Sequence, residues 1–215
     1  MKPAKEGIPT IVCLASFTGI CAFVSPVSAA VMVVLTGFAV WFYRDPDRVP
    51  PEGEGIFVSP ADGRVVEIGP AAHAYTGDAV KVGIFMNAFS VHVNRAPCAG
   101  TVEYLEYVPG RKIAAFAPKA SEVNERHYAG LSTRHGPVLL VQIAGLLARR
   151  IVCRLRRGDV LAAGERYGMI RLGSKVDIYL PASVKLAVKV GDKVCAGKSV
   201  LGSVPEAADA AECLL

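Results

Sequence analysis

Gly158-Asp-Val-Leu-Ala-Ala-Gly164 recurs 33 residues later as Gly191-Asp-Lys-Val-Cys-Ala-Gly197, and a hydrophobic stretch follows each copy. Self-similarity of this kind marks a supersecondary unit used twice. Glycines stand at both ends of each copy, with an aspartate after the first. Outward from the repeat, residues 64–68, 79–85, 101–108, 138–143 and 150–155 are short runs rich in β-branched and aromatic side chains. Asp62-Gly63, Gly110 and Gly136-Pro137 punctuate them as turns. Few windows carry a 3.6-residue period, so residues 56–215 are expected to form one mainly β soluble domain.

The N-terminal part has a different character. Between Lys5 and Arg44 the only charge is Glu6. One uninterrupted helix over residues 8–43 would run about 54 Å, well beyond the roughly 30 Å of a bilayer core. Ser25-Pro26 supplies the break, because proline lacks a backbone donor and pushes the residue before it out of helical geometry. Two apolar helices are expected, about 8–24 and 27–43, forming a hairpin within residues 1–44. Lys2 and Lys5 precede the pair, and Arg44 and Arg48 follow it. Basic residues at both ends place both termini on the cytoplasmic side of a cell membrane, with Trp41-Phe42-Tyr43 at the interface. A cleaved signal peptide is the competing reading, opposed by the second apolar segment and the missing small-residue cleavage site. A half-inserted hairpin stays open beside a spanning one. Asp45-Pro-Asp47 and Pro50-Pro51 read as a linker over residues 45–55.

Of the 215 residues 52% are apolar and 20% charged, which excludes a disordered or low-complexity chain. Twenty-four basic against 19 acidic residues give a net charge of +5. That balance suits an anionic membrane surface and is too mild to indicate nucleic acid, so no nucleic-acid partner is expected. The six cysteines (Cys13, Cys21, Cys98, Cys153, Cys195 and Cys213) show no C-x-x-C spacing and no grouping with the four histidines. Neither a metal site nor a disulfide framework is indicated.

The doubled G-D-x-V-x-x-G element resembles the flattened β-barrel of biotinyl and lipoyl carrier domains, in which the two halves meet at a hairpin that presents a modified lysine. The corresponding position here is Ser174, within Arg171-Leu172-Gly173-Ser174-Lys175. The nearest lysine comes one residue late, which on a strand turns its side chain to the other face.

Three other segments have the look of site loops: Ser59-Pro-Ala-Asp62-Gly63, Phe89-Ser-Val-His92-Val-Asn-Arg95-Ala-Pro97 and Asn124-Glu125-Arg126. Taken in order with Phe42-Tyr43-Arg44-Asp45-Pro46 and Leu172-Gly173-Ser174, they resemble the phosphatidylserine decarboxylase family, particularly its short bacterial and archaeal branch. The resemblance covers nearly the whole chain. It implies a self-processing proenzyme cut between Gly173 and Ser174, with a β chain of residues 1–173 and an α chain of residues 174–215 that form a heterodimer, higher assembly being left open. Ser174 would become a covalent pyruvoyl group that forms a Schiff base with phosphatidylserine in the membrane. Carbon dioxide and phosphatidylethanolamine would follow. The need for such a group is chemical, since loss of a carboxylate from an amino acid requires an electron sink conjugated to its nitrogen.

The same resemblance gives His92 the role of proton donor to the product, a task imidazole suits because it titrates near neutrality. Asp62 would orient or polarise the base that activates Ser174. The structural alternatives are a surface histidine on a strand and an Asp-Gly hairpin turn. The longer family branch carries a second histidine three positions after the first. Here that position is Arg95, which is always protonated and cannot act as a base. Arg95 is expected instead at the substrate phosphate, and Glu125 as a polar substrate contact. His127 is a second acid-base candidate, while His73 and His135 read as exposed loop residues. Arg149, Arg150, Arg154, Arg156 and Arg157 could line a phosphodiester, lie on anionic headgroups, or form a solvated strand face. Two alternatives in function remain at this point. One is a membrane-tethered carrier or binding module, opposed by the missing Met-Lys tip. The other is a pyruvoyl decarboxylase for a soluble amino acid or S-adenosylmethionine, opposed by the apolar N-terminus.

Overall fold

The computed structural model describes residues 2–115, 119–146, 151–171 and 173–204. It divides into two compact units, Met1–Asp47 and Arg48–Leu215.

In the first unit a short pair of strands, β1 (Lys2–Pro3) and β2 (Arg44–Asp45), brackets α1 (Ile8–Ala22) and α2 (Pro26–Phe42). Ser25 is extended at φ −162° and caps α2 by accepting a hydrogen bond from the Val27 amide, while Pro26 takes the first helical position, where no donor is missed. The Thr18 and Thr36 hydroxyls meet at 3.0 Å between the two helices. At 15 and 17 residues the helices measure about 22 and 25 Å. Among the described residues no helix is long and apolar enough to cross a membrane. Val12, Phe17, Ile20, Val31, Val34 and Phe38 of these helices are nonetheless exposed.

The second unit is mainly β. In chain order its strands begin with β3 (Ile56–Val58), β4 (Gly63–His73), β5 (Gly77–Met86), β6 (Val93–Arg95) and β7 (Gly100–Val108). A one-turn helix α3 (Ala120–Val123) then precedes β8 (Arg126–Ser132), β9 (Val138–Ile143), β10 (Ile151–Cys153), β11 (Val160–Leu161) and β12 (Arg166–Ile170). The chain closes with β13 (Ser174–Pro181), β14 (Lys185–Leu186), β15 (Lys193–Val194) and β16 (Val200–Ser203). Eight of them form one antiparallel sheet in the order β11-β7-β8-β9-β13-β5-β4-β15, and two three-stranded sheets, β10-β12-β6 and β14-β16-β3, complete the unit. Period-2 alternation sends Val176, Ile178 and Leu180 of β13 into the main core with Val82, Ile84 and Met86 of β5. The opposite face carries Leu139, Val141 and Ile143 beneath Tyr75, Tyr104, Tyr128 and Tyr179.

That strand order reads the same from either end about the β9–β13 pair, and the hydrogen bonds repeat with it. Val102 N donates to Asp159 O at 2.8 Å and Gly158 N to Val102 O at 2.8 Å; in the other half Val65 N donates to Asp192 O at 2.9 Å and Gly191 N to Val65 O at 2.8 Å. Gly164 N on Ala96 O and Gly197 N on Ser59 O match as well, both at 2.8 Å. The two turns seen in the sequence therefore each dock on a partner segment, 59–67 or 96–104, that is itself part of the duplication. One difference breaks the symmetry. A tight turn closes β8 onto β9, with Gly136 N on Thr133 O at 3.3 Å, whereas β5 and β13 pair across the whole of residues 87–173.

Several expectations are corrected. Asp62-Gly63 is no hairpin turn, because β3 pairs with β16 while Gly63 opens β4, which pairs with β5 and β15. The run 150–155 yields only the short β10, so Arg154, Arg156 and Arg157 lie past its end, where the Arg156 amide donates to Asp159 Oδ2 at 2.7 Å in a turn. Arg149, Arg150, Leu172 and Cys213 lie outside the described residues. His73 is not an exposed loop residue: it ends β4 half-buried, stacked on Tyr128 at 5.5 Å between ring centroids. His135 is exposed.

Candidate active site

Ser174 is the first residue of β13, paired with Met86 of β5 and fully buried. A group presented outward at a barrel tip would be exposed; this one faces the core with Val176 and Ile178. Its Oγ has no hydrogen-bond partner among the described residues. A buried hydroxyl without a partner carries a cost of about 1–3 kcal/mol, which proteins accept at sites of chemistry. Immediately before it, Gly173 has φ +66°, a left-handed conformation that favours glycine. The Gly173 carbonyl packs against Gly145 so closely that a Cβ at 145 would lie 1.5 Å from the oxygen. Hydroxyl and preceding carbonyl thus sit in a tight, bent segment at the mouth of a central strand.

The Asn124-Glu125 segment holds Ala144, the residue before Gly145. Asn124 is fully buried, and its amide donates to Ala144 O at 2.7 Å and to Ile113 O at 2.9 Å while Oδ1 accepts from Ile113 N at 3.0 Å. Ala144 N donates to Glu125 O at 2.9 Å, so Ala144-Gly145 is fixed from both sides. The Glu125 carboxylate is largely buried and lies 3.2 Å from Lys112 Nζ.

His92 is also brought to this end of the sheet. It is fully buried, which overturns the surface-strand alternative, and it lies just before β6 rather than within it. Its carbonyl accepts from Ile170 N at 3.4 Å, at the end of β12 and three residues from Gly173. Arg95 is 3% exposed and donates to the Gly164 carbonyl at 3.0 Å, its stem against Gly197, so it locks the two repeat turns together. Asp62 forms a bidentate pair with Arg48, with Nη2 to Oδ2 at 2.8 Å, and accepts from Ala196 N at 2.7 Å; Arg48 in turn donates to Ala196 O at 2.7 Å. His127 is half-buried on the core-facing row of β8, opposite Gln142 of β9, and burial lowers its pKa.

Two residues were missed. Gln142 is 1% exposed, and its amide donates to Oδ1 of fully buried Asn94 at 2.8 Å; Asn94 Nδ2 reaches Met86 Sδ at 3.7 Å, beside Ser174. The signal for Gln142 was present, as the one polar residue in Val138-Leu-Leu-Val-Gln-Ile143. A cavity of about 490 Å³ opens between Asp62, Arg64, Asn87, Phe89, Ser90 and Lys193, at the start of the loop that leads to His92. A second, of about 450 Å³, lies by Thr101, Ser132 and Arg134, at the far end of β7 and β8 from the Glu125 row. No group of three or more metal-ligating side chains occurs among the described residues.

A family model described as phosphatidylserine decarboxylase matches residues 35–202. The chain belongs to the phosphatidylserine decarboxylase family. Relatives named phosphatidylserine decarboxylase proenzyme bear this out: one from Syntrophus aciditrophicus is 46% identical over 205 residues, covering 93% of this chain and 96% of the relative. Another from Symbiobacterium thermophilum is 45% identical over 206 residues, with 94% and 96% covered. A third from Chlorobium phaeobacteroides is 47% identical over 176 residues, 81% of each. In phosphatidylserine decarboxylase terms, the matched region includes the whole of the Ser174 site described above.

Proposed function

We propose that this chain is a proenzyme that cleaves itself between Gly173 and Ser174 and then decarboxylates phosphatidylserine to phosphatidylethanolamine and carbon dioxide. The observation that carries the proposal is the buried Ser174 hydroxyl, without a hydrogen-bond partner among the described residues, directly after a left-handed glycine whose carbonyl is wedged against Gly145. Attack of Ser174 Oγ on the Gly173 carbonyl carbon breaks the peptide C–N bond and forms an ester. Removal of the Ser174 Cα proton breaks the Cβ–Oγ bond and releases residue 173 as a carboxylate. The dehydroalanine left behind takes up water, loses ammonia and ends as a pyruvoyl group. That ketone supplies the electron sink for loss of carbon dioxide. A fully buried serine at a strand end fits the group, because a dry site protects a reactive carbonyl from side reactions.

Within this scheme His92 supplies the proton to the product, from a buried place at the same end of the sheet. Asn124 holds Ala144-Gly145, and through them the Gly173 carbonyl. Arg95, turned inward on Gly164, and Asp62, clamped by Arg48, hold the two repeat turns and the loop before His92. Glu125 contributes from the Ala144 side, and the cavity at Asn87–Ser90 is the way in for the substrate headgroup. The doubled turn architecture supports likeness to the lipoyl and biotinyl barrels. The carrier alternative is disfavoured, since Lys175 is 5% exposed and engaged in ion pairs. Exposed apolar side chains on α1 and α2 support attachment to the membrane as a half-inserted pair, the helices being shorter than the bilayer core. With basic residues at both ends, the catalytic unit belongs on the cytoplasmic face, as a heterodimer of residues 1–173 and 174–215.

Intact mass under denaturing conditions, with and without phenylhydrazine, tests the proposal. Two chains divided after Gly173, the smaller one captured by the hydrazine, are expected, together with release of carbon dioxide from phosphatidylserine vesicles. A single unmodified chain overturns it, and carbon dioxide from free serine alone overturns the lipid substrate.

A further inference from the structure

Behind Ser174, on the opposite face of β13, lies a cluster of charges. Lys175 Nζ is 2.5 Å from Glu67 Oε2, 3.0 Å from Ser121 Oγ and 3.0 Å from Asp177 Oδ1. Lys81 pairs with the second oxygen of Glu67. The Lys175 stem lies flat over Gly83, where a Cβ would stand 2.6 Å from Cε. Lys175 is 5% and Asp177 1% exposed, whereas the Glu67 side chain is 42% exposed. Burial pushes the Asp177 carboxyl up against the pull of Lys175; Glu67 also feels burial, but its bonds to Lys175 and Lys81 outweigh it and hold its carboxyl low. One ammonium therefore ties together β4, α3 and β13.

The equivalent place in the other half holds no such buried ion pair among the described residues. Across the sheet the row Glu67–Gly83–Asp177 corresponds to Tyr104–Gly130–Leu139, each following the same irregularity in the first strand. There the cluster is aromatic and aliphatic, with the Tyr75 ring over Gly130. Buried ion pairs are seldom more stable than well-packed apolar groups of similar size, so the charged version is not explained by stability. The halves differ in one relevant way: β9 is tethered at its start by the turn from β8, while β13 begins at the cleavage site.

We infer that Lys175 is a positioning residue that fixes the freed end of β13 after cleavage and so holds the group derived from Ser174 in place. This rests on the proposed cleavage at Gly173–Ser174. Before the cut, residue 174 is held from both sides; afterwards its one covalent tether is the Lys175 nitrogen. Lys175 side-chain anchorage therefore matters more to the second reaction than to the first.

The test uses the full chain with Lys175→Met, Lys175→Arg and Glu67→Gln. Three quantities are measured: the cleaved fraction by denatured intact mass, the rate at which phenylhydrazine captures the small chain in the folded protein, and kcat and KM on phosphatidylserine vesicles. Lys175→Met is expected to cleave to near completion yet lose about tenfold to a hundredfold in kcat at little-changed KM. Its folded-state capture should be at least about fivefold faster, because a loosened end is reached more readily. Lys175→Arg keeps the charge and several donors and should restore both values to within about threefold. Glu67→Gln, at a half-exposed position, should shift capture in the same direction by about twofold. Wild-type kcat and capture rate in Lys175→Met overturn the inference. If Lys175→Met does not fold, an unchanged capture rate in Glu67→Gln overturns it, and a faster one supports it. Wild-type protein that stays one chain overturns the parent proposal itself.

Discussion

The two halves of the β unit share strand order, turn hydrogen bonds and even the glycines at the centre of each outer row, yet they are put to different uses. In one half β8 returns directly to β9 through Thr133–Gly136. In the other the corresponding return is opened, residues 87–173 are inserted, and the strand that should follow the turn begins with Ser174. Asp62 stands in one half where Ala99 stands in the other, and the Ala196 amide that meets Asp62 has its counterpart at Ala163. A duplicated framework thus repeats its turns and strands but carries one candidate site. The candidate site lies where one hairpin lacks its turn, and the buried polar residues of the same unit include His92, Asn94, Asn124 and Gln142.

The comparison breaks most completely at Ser174. Ser174→Ala should leave one uncleaved chain with no decarboxylation, seen as a single mass and absent carbon dioxide release. Next is Gly145→Ala, whose Cβ would fall 1.5 Å from the Gly173 oxygen. Displacing that carbonyl by even about 1 Å should slow self-cleavage at least a hundredfold, measured as the uncleaved fraction over time. Asp62→Ala makes the first half like the second and removes the carboxylate that pairs with the Arg48 guanidinium, whose side chain is 7% exposed. A loss of about 3 kcal/mol in denaturant unfolding is expected; no loss would mean that the Arg48 clamp is dispensable.

A smaller effect concerns pH. Burial lowers the His127 pKa in the folded protein, so between that value and the unfolded value of 6.5 the unfolded chain binds more protons. Stability should therefore rise with pH through this window and level off below it, where the folded and unfolded chains both carry the His127 proton. His127→Gln should flatten that segment of a stability-pH curve without touching the rest. Smallest of all, Cys98 is buried with its thiol pushed up to about 12, while Cys195 is exposed. Iodoacetamide at neutral pH should label Cys195 and leave Cys98, the counterpart of Ala61, untouched until the protein unfolds.

Much of the framework was legible because its signals are local. Period-2 runs and glycine turns gave residues 138–143 to the residue, and Ser25-Pro26 announced the helix break. The repeat of Gly158 and Gly191 announced the duplication, although its other members, 59–67 and 96–104, share too few side chains to be seen without the pairing. Gly173-Ser174 and His92 could be named from motif resemblance, but their burial could not. Arg95 and Asp62 were legible as residues and not as contacts, since Gly164 and Arg48 approach them from distant parts of the chain. Gln142 and Asn94 went unread for a related reason: a polar residue on a strand reveals itself only when the register shows what lies opposite.

Arg48 is the first residue of the β unit, and its guanidinium reaches both the Asp62 carboxylate and the Ala196 carbonyl. Anyone trimming the apolar helices to obtain a tractable catalytic fragment faces a narrow choice of start point. The proline-rich stretch up to residue 55 looks expendable, yet a fragment beginning there discards the cation that neutralises Asp62. Beginning at or before Asp47 removes the helices and keeps the clamp, so two fragments differing by only a few residues at the N-terminus should differ sharply in yield and melting temperature.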